Sequence, residues 1–274
     1  MNPPSATDAV SKFRLDARVA FLSGATGHLG TRMAWALCDA GAHVVLNSRS
    51  RDKLEALADD LVHCGRKASV ACFDVTNADA MRECIATIGE QHGRLDILVH
   101  NAGSGRPGTI DSASAEDFDQ LYRVNVVAAF QLLQTSLSLL QTSARERAGG
   151  ASVINIASMY GMLSPDPSIY GMSGVNSPPY YGAAKAGLIQ FTRYAACHLA
   201  QDRIRVNCIS PGAFPAPQYL SQDPGFHERL KAKSPMRRTG EADELQGPLL
   251  FLASDASSYV TGINLVVDGG WTAW

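Results

Sequence analysis

A tyrosine and a lysine stand four residues apart in the stretch Tyr181-Gly-Ala-Ala-Lys185. Prolines precede the pair and apolar residues follow it at helical spacing, so the sequence predicts a helix here. Residues four positions apart share one face of a helix, which would place the phenol beside the ammonium. A nearby cation favours the phenolate and lowers its pKa from about 10, so the pair could exchange protons near neutral pH. An accidental pair on a solvated helix face remains an alternative, since such spacings are common.

The elements that would position this pair alternate between strand and helix along the chain. Short apolar runs predict strands over 18–23, 43–47, 68–73, 95–100, 151–157, 204–209 and 263–267. Helical periodicity predicts helices over 31–40, 52–64, 78–90, 114–141, from Tyr181 onward, and over 241–253. This alternation is typical of an α/β fold, a Rossmann-type doubly wound parallel sheet of about seven strands with helices on both faces. We expect one domain over residues 18–274 after a polar lead-in, 1–17, with long connections at 159–180 and 211–240.

Composition excludes several classes of protein. The chain has 274 residues, 46% of them hydrophobic, and a net charge of −2, which gives no sign of a nucleic-acid partner. Its first residues have neither a basic start nor an apolar run, and no apolar stretch approaches the length of a membrane span. The six cysteines are scattered, which argues against a metal site or a disulfide framework. We therefore expect a cytoplasmic protein with no membrane partner and no metal.

A glycine-rich turn, Ser23–Gly30, joins the first predicted strand to the first helix. Gly24, Gly27 and Gly30 would let the backbone approach a pyrophosphate, and the helix N-terminus would favour its charge. The turn could instead be merely tight, but its place between strand and helix favours a dinucleotide site. The second strand ends in Ser48-Arg49 with no acidic residue, which favours the 2′-phosphate of NADP over the ribose hydroxyl of NAD. NAD remains the alternative, because Arg49 could be an ordinary surface charge.

Further motifs along the chain resemble those of the classical short-chain dehydrogenase/reductase family. In order they are the glycine turn 23–30, Asp74-Val75, Asn101-Ala102-Gly103, Asn125, Ser158, Tyr181 with Lys185, Pro211-Gly212 and 267–270. The resemblance runs from about residue 18 to the C-terminus. It implies an NAD(P)-dependent oxidoreductase that acts on a secondary alcohol or ketone.

The resemblance also implies roles for individual residues. Tyr181 would protonate the carbonyl oxygen in reduction, Ser158 would hold that oxygen, and Lys185 would lower the tyrosine pKa and bind the nicotinamide ribose. Asn125 would interrupt its helix and hold a water that passes protons from Lys185 to solvent. The implied cofactor contacts are Gly24, Thr26, Gly27, His28, Leu29, Gly30, Ser48, Arg49, Asp74, Val75, Asn101, Ala102, Gly103, Tyr181, Lys185, Pro211, Gly212 and Phe214.

Three positions depart from the family's pattern around the cofactor. His28 stands where the second glycine of the turn is usual, so the run reads Gly-x-x-Gly-x-x-Gly. His100 replaces an asparagine at the end of the fourth strand. Ala213-Phe214-Pro215 follows Pro211-Gly212, where a threonine usually binds the carboxamide. These changes bear on the geometry of the phosphate loop and on cofactor preference.

Ser158 and Tyr181 are separated by a longer connection than is usual in the family. The extra residues must lie over the substrate, and they offer Tyr160, Tyr170, Asn176 and Ser177 as hydrogen-bonding groups. The connection resembles that of gluconate 5-dehydrogenase-like and sugar-acid dehydrogenase members. We therefore predict a polar small-molecule substrate, a sugar, sugar acid or polyol.

Two other functions remain open from the sequence. A 3-oxoacyl-thioester reductase would favour a basic docking patch for a carrier protein, and the weak candidates are Lys231, Lys233, Arg237 and Arg238. A nucleotide-sensing protein without catalysis would typically lack the tyrosine and lysine pair, which is intact here. The resemblance further implies a homotetramer, and the apolar C-terminal residues Trp271 and Trp274 would need burial.

Overall fold

Seven short apolar segments form one parallel sheet. The computed structural model describes residues 8–103, 107–171, 176–217 and 223–274. The strands are β1 (Val19–Leu22), β2 (His43–Ser48), β3 (Lys67–Cys72), β4 (Ile97–His100), β5 (Ala151–Ile156), β6 (Ile204–Pro211) and β7 (Asn264–Val267). They lie in the order β3-β2-β1-β4-β5-β6-β7, and every neighbouring pair is parallel. The predicted seven-stranded parallel sheet is confirmed.

Helices cover both faces of this sheet. They are α1 (His28–Asp39), α2 (Arg51–His63), α3 (Ala78–His92), α4 (Ala115–Tyr122), α5 (Ala128–Glu146), α6 (Pro179–Leu199), α7 (Pro224–Lys233) and α8 (Gln246–Ala253). Because successive strand residues point to opposite faces, Leu22 packs with α1, α2 and α8 while Phe21 packs with α3, α5 and α6. Leu15 is fully buried in the first of these clusters, so the core includes a residue of the predicted lead-in.

The neighbours of β1 are β2 on one side and β4 on the other, so the direction of winding reverses there. In open α/β sheets ligands bind at such a point, outside the carboxyl ends of the strands. The glycine-rich turn is fixed over this crevice by two backbone hydrogen bonds. Ser23 donates to the Val99 carbonyl at 3.0 Å, and Ala25 donates to the Asn47 carbonyl at 2.9 Å.

The predicted helix over 114–141 consists of three parts. Its capping box is present, since the Ser114 side chain accepts from the Asp117 amide and the Asp117 carboxylate accepts in return. A π-helical segment, Arg123–Val127, separates α4 from α5. Within the described residues one stretch, Ala115–Glu146, is long and apolar enough by length and composition to cross a membrane. Its Leu132 and Leu140 are buried against the sheet, as in a core helix.

One described helix, α7, lies in a connection that the sequence analysis left without secondary structure. Asp223 caps it by accepting from the Gly225 amide, and Pro224 occupies its first turn. These start signals are present in the sequence. The predicted helix over 241–253 is also different in detail, because it opens with a 3₁₀ turn, Ala242–Leu245, before α8.

A buried hydrogen bond connects β5 to α6, the helix that contains Tyr181 and Lys185. Asn155 Nδ2 donates to Thr192 Oγ1 at 2.9 Å, and Thr192 Oγ1 donates in turn to the Leu188 carbonyl. Both side chains are almost completely buried. The bond therefore fixes the height of α6 relative to the end of β5.

We expect Thr192→Val to lower the free energy of unfolding by about 1–3 kcal/mol, because the substitution leaves the Asn155 amide buried without its acceptor. Urea unfolding followed by circular dichroism measures this change. Thr142→Val is the matched control, since Thr142 also bonds to a carbonyl four residues back but lies at the surface. Equal losses in the two variants would contradict the positioning role of this hydrogen bond.

Candidate active site

Tyr181 and Lys185 lie in the first turns of α6 and project towards the carboxyl end of β5. The Lys185 Nζ atom is 5.8 Å from the centre of the Tyr181 ring. Ser158 follows β5, and its hydroxyl lies close enough to the Tyr181 phenol to lower the pKa of that phenol. The structure thus brings together Tyr181, Lys185 and Ser158. The family resemblance implied that these are the proton donor, the cation beside it and the hydroxyl that binds the substrate oxygen.

The ammonium of Lys185 is buried with one protein acceptor among the described residues. Nζ donates to the carbonyl of Ile156, the last residue of β5, at 2.7 Å. The side chain is 5% exposed, and burial lowers its pKa from 10.5 to about 8. A lysine in this state can gain and lose a proton near neutral pH.

Asn125 lies in the π segment, completely buried. Its Nδ2 donates to the Leu121 carbonyl at 3.0 Å, so its Oδ1 faces the other way, where it has no partner among the described residues. Gly103 lies between this oxygen and the lysine. A β-carbon at Gly103 would be 3.0 Å from Asn125 Oδ1 and 3.5 Å from Lys185 Nζ. The four residues of the implied catalytic set therefore surround one small polar region.

The predicted lowering of the Tyr181 pKa is wrong for this arrangement. Burial raises the pKa of the phenol above 10, and the nearby Ser158 hydroxyl opposes this only in part. The physical reason is that burial of the phenol disfavours its charged form, and the neighbouring Tyr170 adds to this effect. In this structure Tyr181 is a phenol that can donate a proton.

The glycine-rich turn forms a cradle with no room for side chains. Gly24 has a φ of +65°, and a β-carbon there would be 3.0 Å from the Ala102 backbone. A β-carbon at Gly30 would be 2.1 Å from the Gly24 carbonyl oxygen. Helix α1 begins at His28 without a side-chain cap, so its dipole and first N–H groups are available to an anion. The cradle fits a pyrophosphate.

Arg49 extends from the end of β2 with 75% of its side chain exposed. Its nearest acidic partner is Asp74, whose Oδ2 is 3.8 Å from Arg49 Nη1, while Asp74 Oδ1 accepts from the amide and hydroxyl of Thr76. Ser48, which precedes Arg49, has no carboxylate, and Val75 is buried behind Asp74. The guanidinium is loosely held and can turn towards a phosphate.

Other predicted cofactor contacts lie around the same crevice. Asn101 donates from Nδ2 to the Gly24 carbonyl at 3.0 Å, which connects the ends of β1 and β4. Gly212 follows β6, and a β-carbon there would be 2.6 Å from the Asp268 backbone. The ring of Phe214 covers Gly240, and Leu29 packs against the core. Thr26 and His28 stand in the turn and at the start of α1, next to the cradle.

A cleft of about 530 Å³ opens beside the first turns of α6, and its described lining includes neither Ser158 nor Tyr181 nor Lys185. Its walls come from 160–165, 176–179, the first turns of α6, and Thr109 with Ile110. Tyr160, Asn176 and Ser177 line it, and the Tyr170 phenol hydrogen-bonds to Tyr160 and to Ser177. The four predicted substrate residues are therefore close together. Residues 172–175 of the connection lie outside the described residues.

The long connection between Ser158 and Tyr181 packs against α7. Arg229 Nε donates to the Ile169 carbonyl at 2.6 Å, Lys233 pairs with Asp166, and Tyr170 stacks on Phe226 at 5.9 Å. Under these contacts lies an apolar cluster of Met159, Ile169, Leu230 and Trp271. The two long connections and the C-terminal turn thus form one cover, and Trp271 is buried within its own chain.

This arrangement matches a known family. The model for the family described as enoyl-(acyl carrier protein) reductase matches residues 24–272. The chain belongs to the short-chain dehydrogenase/reductase family. The members of this family are oxidoreductases, so the chain is an enzyme that oxidises alcohols or reduces carbonyls.

Two relatives of this chain show the range of substrates at similar sequence distance. A gluconate 5-dehydrogenase from Gluconobacter oxydans is 33% identical over 95% of this chain and 96% of its own length. A 3-oxoacyl-(acyl-carrier-protein) reductase from Thermotoga maritima is 31% identical over 94% and 98%. A crystal structure of a gluconate 5-dehydrogenase from Burkholderia cenocepacia in complex with NADP and tartrate has a TM-score of 0.86 and 32% identity, covering 97% and 99%.

The lowered pKa of Lys185 predicts a pH dependence of stability in this enzyme. The penalty for burying the ammonium is fully present below its folded pKa of about 8. As the pH rises towards 10.5, the unfolded state binds more protons than the folded state, so this penalty is relieved and stability rises. We expect Lys185→Met to remove this rise, so that its unfolding free energy gains about 1–2 kcal/mol less than wild type between about pH 8 and about pH 9.5.

Urea midpoints measured across this range test the expectation. Lys53→Met, at an exposed position of α2, should keep the wild-type slope. Parallel pH profiles for wild type and Lys185→Met would contradict it.

Proposed function

We propose that this enzyme transfers hydride between NADP(H) and a secondary alcohol or ketone on a polar, carbohydrate-like substrate. The observation that supports this most strongly is that Ser158 and Tyr181, whose side chains interact, lie beside a buried lysine at the carboxyl end of β5. The site contains a proton donor and a second hydroxyl for the same substrate oxygen. Bound NADPH would supply the hydride.

The residues of the crevice fit NADP. The pyrophosphate would lie in the glycine cradle at the start of α1, and Arg49 would pair with the 2′-phosphate. The absence of a carboxylate at Ser48 removes the usual partner of an unphosphorylated ribose. Asp74 is close enough to compete for Arg49, but at 3.8 Å its pairing is weak. The Burkholderia relative, which binds NADP, is consistent with this choice.

In reduction, Tyr181 donates its phenolic proton to the carbonyl oxygen while Ser158 donates a hydrogen bond to the same oxygen. Because burial holds the Tyr181 pKa above 10, the phenol is protonated at neutral pH and ready to donate. Lys185, whose pKa is about 8, can then return a proton to the site. In oxidation the same groups act in the opposite direction.

The cleft favours a substrate with several hydroxyls. Tyr160 and Tyr170 lie near Tyr181, and Asn176 and Ser177 line the neighbouring cleft together with Tyr160, so phenol, amide and hydroxyl groups lie close to the proposed proton donor. A fatty-acyl chain has no hydrogen-bonding groups to offer these side chains, so it would gain less from this site than a substrate with several hydroxyls.

The second candidate, reduction of a 3-oxoacyl thioester, is supported by the Thermotoga relative. The basic residues expected to dock a carrier protein are largely engaged, however. Lys231 pairs with Glu228, Lys233 with Asp166, and Arg238 with Glu244. Arg237 donates to the Ala232 carbonyl. A patch neutralised in this way offers little net charge to an acidic carrier.

We also propose a cytoplasmic homotetramer. Large apolar side chains are exposed on α4, α5 and α6, namely Phe118, Tyr122, Phe130 and Tyr194. Strand β7 is the edge of the sheet, with Trp274 exposed beyond it. These surfaces would be covered by other copies of the chain. All six cysteines are free thiols, in keeping with a reducing compartment.

Replacement of Tyr181 tests the proposed reaction. We expect Tyr181→Phe to lower kcat by at least about a hundredfold because the proton donor is lost, with NADPH affinity unchanged. Stopped-flow absorbance and NADPH fluorescence measure the two quantities. Retention of more than about a tenth of wild-type turnover would exclude Tyr181 as the donor.

Replacement of Arg49 tests the cofactor. We expect wild type to prefer NADP(H), and Arg49→Gln to weaken NADP(H) binding about ten- to a hundredfold with little effect on NAD(H), since one charge-assisted pair is lost. Arg51→Gln, which removes an exposed arginine paired with Glu55, is the matched control. An unmutated enzyme that used NAD(H) equally well would overturn the assignment.

Replacement of Tyr160 tests the polar cleft. We expect Tyr160→Phe to raise KM for the best polyol or keto-sugar substrate about five- to tenfold, because one neutral hydrogen bond is lost, while KM for NADP is unchanged. Tyr259→Phe is the control, since Tyr259 is fully exposed. Unaltered kcat/KM in Tyr160→Phe would show that this phenol does not contact substrate.

A further inference from the structure

His100 is buried near the proposed catalytic residues, and none of the proposed roles involves it. It ends β4, and it is 2% exposed. Its neighbours come from three places in the fold: Ser23 after β1, Val124 and Asn125 in the π segment, and Lys185 on α6. Lys185 is the titratable group whose charge acts on the ring.

The hydrogen bonds of Ser23 determine where the imidazole proton lies. Ser23 Oγ accepts from the backbone amides of Asn101 and Ala102, each at 3.0 Å, and it is 3.3 Å from His100 Nδ1. A hydroxyl oxygen has two lone pairs, and the two amides use both. Its own proton must therefore be donated to Nδ1, which leaves the proton of the neutral ring on Nε2. Burial and Lys185 lower the His100 pKa to about 3, so the ring stays neutral.

The other side of the ring faces the π segment. Nε2 is buried, and the backbone carbonyls of Val124 and Asn125 lie on its side of the ring, but none of the described residues meets it in hydrogen-bond geometry. Asn125 Oδ1 is likewise without a partner among the described residues. One atom is a donor and the other an acceptor, and leaving either without a partner is unfavourable. Asn125 Oδ1 lies across Gly103 from Lys185 Nζ, as the contacts of a β-carbon at Gly103 show.

We propose that His100 is a positioning residue for proton transfer, and that its Nε2–H and Asn125 Oδ1 together hold one water beside Lys185. Water has two donors and two acceptor sites, and a buried water needs two to four polar partners. It would accept from His100 and from Lys185 and donate to Asn125, which fixes its orientation. The proposal rests on the proposed function, in which protons pass through Lys185.

Two amide variants separate the two nitrogens of the ring. His100→Asn places its amide near the position of Nδ1, so it keeps a contact with Ser23 and loses the Nε2 donor. His100→Gln reaches the position of Nε2 and keeps that donor. We expect His100→Asn to lower kcat about tenfold and to increase the solvent deuterium isotope effect on kcat, because the proton relay becomes limiting.

KM for NADPH should not change in His100→Asn. The His100→Gln variant should stay within about twofold of wild type in both kcat and isotope effect. Identical kcat, isotope effect and pH profile in His100→Asn and wild type would overturn the positioning role.

A second measurement needs no turnover. Nitrogen-15 spectra of histidine-labelled wild type, with His100 assigned by its absence in His100→Gln, should show a neutral Nε2–H tautomer from about pH 5 to about pH 9. An Nδ1–H tautomer, or a ring that titrates near the usual pKa of about 6.5, would overturn the proposal whatever the activity. Wild type that shows the expected tautomer but reduces no carbonyl with NADPH would contradict the proposed function alone.

Discussion

The burial of one ammonium group, that of Lys185, is the constraint on which the site depends. Its hydrogen bond to the Ile156 carbonyl connects α6 to the end of β5. Its desolvation brings its pKa down to about 8, within the range where enzymes exchange protons. Burial of Tyr181 in the same region raises the pKa of its phenol and keeps it protonated. Burial in one region thus determines the pKa of both the proton donor, Tyr181, and the proton source, Lys185.

The surrounding fold maintains this burial from three directions. The Asn155–Thr192 bond fixes α6 from behind, Gly103 brings the end of β4 close without a side chain, and the π segment places Asn125 opposite. A π segment inside a helix is often found at a functional site. The substrate side is closed by the cover in which Arg229 and Lys233 of α7 hold the long connection at Ile169 and Asp166. The cofactor side is the crevice where the sheet reverses direction.

The parallel sheet could be predicted from the sequence, because buried strands and amphipathic helices each have a recognisable pattern of apolar residues. The capping box at Ser114 was equally visible, since it depends on side chains three residues apart. Helix α7 was not predicted, because only Leu230 on it is deeply buried and its apolar period is weak. The π segment depends on how α4 and α5 pack, which no local pattern records.

The electrostatics were the least predictable part of the site. Spacing alone placed Lys185 beside Tyr181, but it could not show that burial acts on both groups and reverses the expected direction of the tyrosine shift. Lys233 pairs with Asp166, and Arg238 pairs with Glu244. Tertiary packing and loop conformation bring these partners together, so the sequence could not show that the basic side chains are already paired. His100 gave only one signal, its place at the end of a strand beside the cofactor motif. Its unpartnered nitrogen appears only in three dimensions.

The most direct measurement is the rate of NADPH consumption by the wild-type enzyme across matched carbonyl substrates. Keto-sugar acids, ketoses and a 3-oxoacyl thioester would be compared by the absorbance of the reduced nicotinamide, with NADH in parallel. We expect the highest kcat/KM with NADPH and a keto-sugar acid or ketose, because the cleft offers hydroxyl, phenol and amide partners to several substrate oxygens. A higher kcat/KM for the oxoacyl thioester, or no oxidation of NADPH by any of these carbonyls, would contradict the assignment of the cleft.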